Sequence, residues 1–139
     1  MKYTMFLLFL VMIHQVSSQS SFIKDSLSII KIIKFQGKVE YLSHKVSFEK
    51  LISDSRCPKD VMCIRAGEAK VLISVYKNDI FLTDKEVVIH ASGYVTEENN
   101  LIFVAQDFKI FGINLTPYPQ NGNPIPEKDY NLEIVFHPK

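Results

Sequence analysis

Ala69-Lys70-Val71-Leu72-Ile73-Ser74-Val75-Tyr76 decides the fold class. Ala69, Val71, Ile73 and Val75 fall on one side of an extended chain. Lys70, Ser74 and Tyr76 fall on the other, which is the period-2 signature of a half-buried strand. Lys77-Asn78-Asp79 follows as a turn, and the pattern resumes beyond it. Ile80–Thr83 and Glu86–Ala91 predict two short strands around Thr83-Asp84-Lys85, closed by the Ser92-Gly93 turn signal.

Working towards the N-terminus, residues 45–53 place Val46 and Phe48 inward and then slip phase at Leu51 or Ile52, the mark of a bulge or a strand end. Ser28–Phe35 is dense in β-branched Ile and reads as a strand, with a helix through residues 22–35 as the competing reading. Towards the C-terminus, Leu101–Ala105 and Phe108–Leu115 predict strands joined at Gln106-Asp107, with a single longer bulged strand as the equal alternative. Tyr130, Leu132, Ile134 and Phe136 define the last strand. Between them, residues 116–128 carry Pro117, Pro119, Pro124 and Pro126, which exclude a helix or a central strand. About seven short strands at regular spacing predict an all-β domain. The expectation is one antiparallel β-sandwich, immunoglobulin-like, with a small β-barrel as the alternative.

The first eighteen residues, MKYTMFLLFLVMIHQVSS, carry Lys2, an apolar run from Met5 to Ile13, and small residues at Ser17-Ser18. This is the pattern of a cleaved signal peptide, and the run is too short to span a bilayer. Residues 1–18 are therefore assigned to the signal, 19–27 to a linker and 28–139 to the sandwich. The 139-residue chain has 16 Lys+Arg and 15 Asp+Glu, and Lys2 is the only one of these in the signal. Fifteen cations then face fifteen carboxylates, which argues against a nucleic-acid partner. No cysteine follows the apolar run to take a lipid anchor. The expected location is secreted or periplasmic, and the expected state is a monomer with no membrane span after cleavage.

Cys57 and Cys63 are the chain's two cysteines. In an exported protein they predict a disulfide closing a short loop. A redox pair would take Cys-x-x-Cys at a helix start, and that is missing here. Asp54, Asp60 and Glu68 flank the loop and raise the question of calcium, but their spacing matches no calcium loop and Lys59 and Arg65 sit among them. Asp54 is expected to cap the loop or to pair with Arg56. Arg56, Lys59 and Tyr118 complete the set of loop organisers or interaction residues, with Tyr118 read as a plug between Pro117 and Pro119. His44, His90 and His137 lie on three segments and read as surface residues. Glu97 and Glu98 read as part of a solvated loop with Asn99 and Asn100. No catalytic residue, metal or cofactor is assigned.

DSRCPKDVMCIRAGEAKVLISV, Asp54 to Val75, with Ile113-Asn114-Leu115-Thr116-Pro117-Tyr118-Pro119, Ile125-Pro126 and Tyr130-Asn131-Leu132, resembles a family of small secreted bacterial proteins and lipoproteins. That family is largely without assigned function. The resemblance implies a compact β domain in the bacterial envelope or outside it, and no activity. Arg65 stands where many members carry Trp before Ala-Gly, and the lipid-anchoring cysteine is missing. The expected function is a non-enzymatic binding or accessory module for a protein or envelope component. The alternatives are a hydrolase or metal-dependent enzyme with a site built from scattered residues, and a protease inhibitor that inserts Arg56 or Lys59.

Overall fold

A computed structural model describes residues 27–120 and 123–139; the segment expected to be a signal, 1–18, and most of the expected linker lie outside the described residues. Among the described residues, eight strands form two four-stranded antiparallel sheets packed face to face. They are β1 (Ile29–Lys34), β2 (Lys38–Tyr41), β3 (His44–Asp54), β4 (Glu68–Lys77), β5 (Ile80–His90), β6 (Leu101–Val104), β7 (Phe108–Thr116) and β8 (Asn131–Pro138). One helical turn, α1 (Glu97–Asn100), precedes β6, and a 3-10 turn at Glu127–Asp129 precedes β8.

The sandwich is as expected, and its connectivity is simpler than an immunoglobulin Greek key. One sheet is the meander β2-β3-β4-β5. The other has the order β1-β8-β7-β6, so the first strand lies beside the last. Sequence reading passed over β2. Its four residues, Lys-Val-Glu-Tyr, offer too little alternation, and it turns into β3 through Leu42, which takes φ 53° without a glycine to announce it. The break expected at Thr83-Asp84-Lys85 is also corrected, because β5 runs unbroken through it. There β5 is an edge strand whose exposed polar residues need no burial, and Ser74 Oγ ties Asp84 Oδ1 to β4 at 2.5 Å.

Alternation accounts for the core. Val46, Phe48, Val71, Ile73, Val75 and Val87 from one sheet meet Ile33, Ile110, Leu115, Leu132, Ile134 and Phe136 from the other, all buried. The phase slip read at Leu51 is real. The β3–β4 register shifts between Phe48 and Lys50 and again between Leu51 and Ser53. These irregularities change the twist near the end of β3, where the site residues begin.

Three side chains depart from their expected places. His44 is buried beside Phe103 and Phe108. Burial, then the nearby Lys77 charge, holds its pKa below the usual imidazole value. Tyr41, which the sequence places in or beside a loop with Tyr94 and Tyr118, packs against the core through Phe108 and Phe136. Asn100 is 1 % exposed instead of solvated. Its Nδ2 donates to the Val88 carbonyl on β5 and the Gly112 carbonyl on β7, both at 2.9 Å, and its Oδ1 accepts from the Thr96 amide at 2.8 Å. It therefore links the two sheets.

Candidate functional site at the disulfide loop

Asp54 is the last residue of β3, and Arg56 lies two residues on. On an extended chain residues i and i+2 project to the same side, so both charged side chains turn inward while Ser55 faces away. Ser55 continues the ladder to β4: its amide donates to the Glu68 carbonyl at 2.8 Å, and its hydroxyl donates to the same oxygen at 2.9 Å.

The inward pair is a bidentate ion pair. Arg56 Nε donates to Asp54 Oδ1 at 2.8 Å and Nη2 to Oδ2 at 2.7 Å. The side chains are only 2 % and 8 % exposed, respectively. A buried guanidinium needs acceptors for its other hydrogens. Nη1 donates to the Leu115 carbonyl at 2.5 Å, and Nη2 also reaches the Pro117 carbonyl at 3.1 Å. The Tyr130 hydroxyl donates to Asp54 Oδ2 at 2.9 Å, and the Arg56 amide to Oδ1 at 3.2 Å. Burial pushes the Asp54 carboxyl up. Hydrogen bonds from Arg56 and Tyr130, together with the Arg56 charge, outweigh it, so the net pKa is below the ordinary carboxylate value. Burial and the Asp54 carboxylate push the Tyr130 phenol up to about 12.

Tyr118 lies against the Arg56 side of this pair. The Arg56 guanidinium is 5.0 Å from its ring centroid, and Lys59 Nζ approaches the same ring at 5.6 Å. Both distances suit cation–π contact. The Lys59 amide donates to the Pro119 carbonyl at 3.2 Å. The Asp54-Ser55-Arg56-Cys57-Pro58 and Pro117-Tyr118-Pro119 segments, sixty residues apart in sequence, therefore form one unit. Sequence reading named Asp54, Arg56, Lys59 and Tyr118 but missed Tyr130, whose hydroxyl is invisible to an alternation that counts it only as apolar.

Beyond this base the chain forms the disulfide loop. Cys57 and Cys63 are bonded, with Cα atoms 6.0 Å apart. The loop's return is held by the Cys57 amide on the Ala66 carbonyl at 2.7 Å and by Gly67 at φ 76°. A Cβ at Gly67 would stand 1.9 Å from the Ser55 carbonyl oxygen. Gly67→Ala is therefore expected to cost well over the usual ~1 kcal/mol of a positive-φ alanine, read as a large drop in the urea midpoint. A midpoint near the parent's would show that this return is not tight. Replacing both cysteines with Ser should cost only about 2 kcal/mol because the loop is short. Its thermal melt should remain cooperative, and failure to fold would make the loop a nucleus of folding instead.

Val61, Met62 and Ile64 sit on this pinned loop. Met62 and Ile64 are 100 % and 104 % exposed and Val61 is partly so, while Lys59 and Arg65 flank them, also exposed. Sequence reading did not single these residues out. The signal was there: Val61 and Met62 inside the short loop closed by the cysteines and Ile64 directly after it, where polar residues are the norm.

The carboxylates considered for calcium do not converge. Asp54 gives both oxygens to Arg56 and Tyr130, while Glu68 lies 3.5 Å from Lys70 and 3.9 Å from His90. Among the described residues, no group of three or more His, Cys, Asp or Glu is placed to hold a metal ion. Millimolar calcium is expected to leave the melting temperature unchanged, whereas saturation at 100 times a Kd would add about 2.7 kcal/mol. A rise that Asp54→Ala abolishes would overturn this. An open cleft of ≈ 390 Å³ runs past Arg56, Pro58, Pro119, Ile125 and Tyr130, but the charges that line it are engaged within the protein. Arg56 is likewise held too deeply to enter another protein's pocket, which removes it from the protease-inhibitor reading. Lys59 remains exposed.

Comparison with family models, curated proteins and solved structures finds no match to this chain. Among the described residues, no helix is long and apolar enough to cross a membrane.

Proposed function

We propose that this chain is an exported, non-catalytic binding module of the bacterial envelope or exterior, acting as a monomer through the end of the sandwich that carries the disulfide loop. The observation that carries this reading is the full exposure of Met62 and Ile64 on a loop fixed from below. Leaving two large aliphatic side chains in water forgoes about 3–6 kcal/mol of burial. The fold supports that exposure at considerable expense in organisation: a disulfide, a buried ion pair and a glycine that admits no side chain. A rigid loop loses little entropy on binding, which favours contact. The signal-like residues 1–18 and the resemblance around Asp54–Val75 support export and a bacterial setting.

The test is retention on the immobilised full chain from an extract, membranes included, of the cells that make it. The parent should retain material that a Met62→Asp/Ile64→Asp variant with an unchanged melt does not. Equal retention by both would remove the loop as the contact and the reading with it.

A further inference from the structure

We propose that the disulfide loop is a lipid-contact tip, with Val61, Met62 and Ile64 entering the interfacial layer of an anionic bilayer while Lys59 and Arg65 bind its headgroups. This rests on the reading of the loop as the contact end and names what it contacts.

Three features select a bilayer over a protein pocket. The first is shape. Side chains as exposed as Met62 and Ile64 project from the surface, and a projecting point needs a matching hollow in a protein partner. A bilayer deforms around it and needs none. The second is chemistry. The side chains of Val61, Met62 and Ile64 carry no strong hydrogen-bonding group, so their insertion to interfacial depth leaves no side-chain donor or acceptor unsatisfied.

The third feature is charge. Lys59 and Arg65 bracket the aliphatic residues on both sides and outnumber the loop's one carboxylate, Asp60. An apolar point with cations at its shoulders matches the layering of an anionic membrane surface, where acyl chains lie beneath negative headgroups. One further residue fits. The connection after β5 is rooted beside the loop, with the Ala91 amide on the Gly67 carbonyl at 3.2 Å. It carries Tyr94, 68 % exposed, and tyrosine favours the membrane–water interface.

The chain contains no tryptophan, so Met62→Trp gives a single reporter on the tip. The full chain is mixed with vesicles of phosphatidylcholine alone or of phosphatidylcholine with phosphatidylglycerol. With the anionic vesicles, the emission should shift to the blue and be quenched by lipids brominated on the acyl chain. Binding through another segment would leave the tip in water and the emission unmoved. Adding Ile64→Asp should abolish the shift, and Lys59→Gln and Arg65→Gln should each weaken partition about fivefold.

An unshifted, unquenched reporter on anionic vesicles overturns the lipid assignment, as does a shift that survives Ile64→Asp. If lipid fails while extract retention still depends on Met62 and Ile64, the contact is a protein pocket and the module reading stands. If both fail, the loop is not a contact surface.

Discussion

Arg56→Ala should cost about 3–5 kcal/mol, because it strands a buried carboxylate and two carbonyl oxygens at once. Urea denaturation would show it as a large fall in the midpoint with little change in slope. Arg56→Lys should recover only part of this, since an ammonium cannot span both Asp54 oxygens and the Leu115 and Pro117 carbonyls. A double replacement by apolar residues of similar size, Asp54→Leu/Arg56→Met, should cost far less than Arg56→Ala alone, because it leaves no unpaired charge. A near-parental midpoint for Arg56→Ala would mean that the ion pair is incidental to the fold.

The same cluster sets the pH dependence. The folded pKa of Asp54 is depressed, so its contribution is present above its unfolded value of about 3.9 and is lost as pH falls through the lower folded value. The Tyr130 phenol is raised from 10.0 to about 12. Its contribution is complete below pH 10 and is lost as pH rises through about 12. Stability should therefore fall at both extremes, and Tyr130→Phe should flatten the alkaline limb.

Asn100→Leu is the second large effect, at about 3 kcal/mol. It leaves the Val88 and Gly112 carbonyls without their donor and the Thr96 amide without its acceptor. Asn100→Asp should be worse at neutral pH, because a carboxylate would then face two carbonyl oxygens. Part of that loss should return on acidification as the carboxyl gains a proton. Thermal melts of the two variants across pH would check this, and a mild, pH-independent loss in both would show that Asn100 does not join the sheets.

Asn100 also marks where sequence reading stops. Asn99 and Asn100 are identical neighbours in a polar run, yet one is buried and the other is not. Only the meeting of β5 and β7 distinguishes them. β4 and β8 were legible because each alternates cleanly over a full strand, and the β3 bulge because a phase slip is local. β2 and the middle of β5 were not, since edge positions with exposed polar residues look like turns.

The site divided in the same way. Asp54 and Arg56 stand out as oppositely charged residues two apart beside a cysteine. Their contact with Tyr118 and Tyr130 is set by the pairing of β7 with β8. The exposure of Met62 and Ile64 is likewise tertiary: aliphatic residues normally predict burial, and only the finished loop shows that nothing covers them.

The adjacency of β1 and β8 bears on biosynthesis. The meander β2-β3-β4-β5 joins neighbours in sequence and can assemble as soon as it is made. The second sheet is different: β1 must wait for β8, with Ile29 opposite Phe136 and Lys34 opposite Asn131. Almost the whole domain has to be synthesised before the first strand finds its partner. Until then Ile33 of β1, buried in the finished core, and the open inner face of the first sheet remain without cover, a state prone to association. A chain threaded outward in extended form and released only when its last residues emerge avoids that exposure during synthesis, since both sheets then close together.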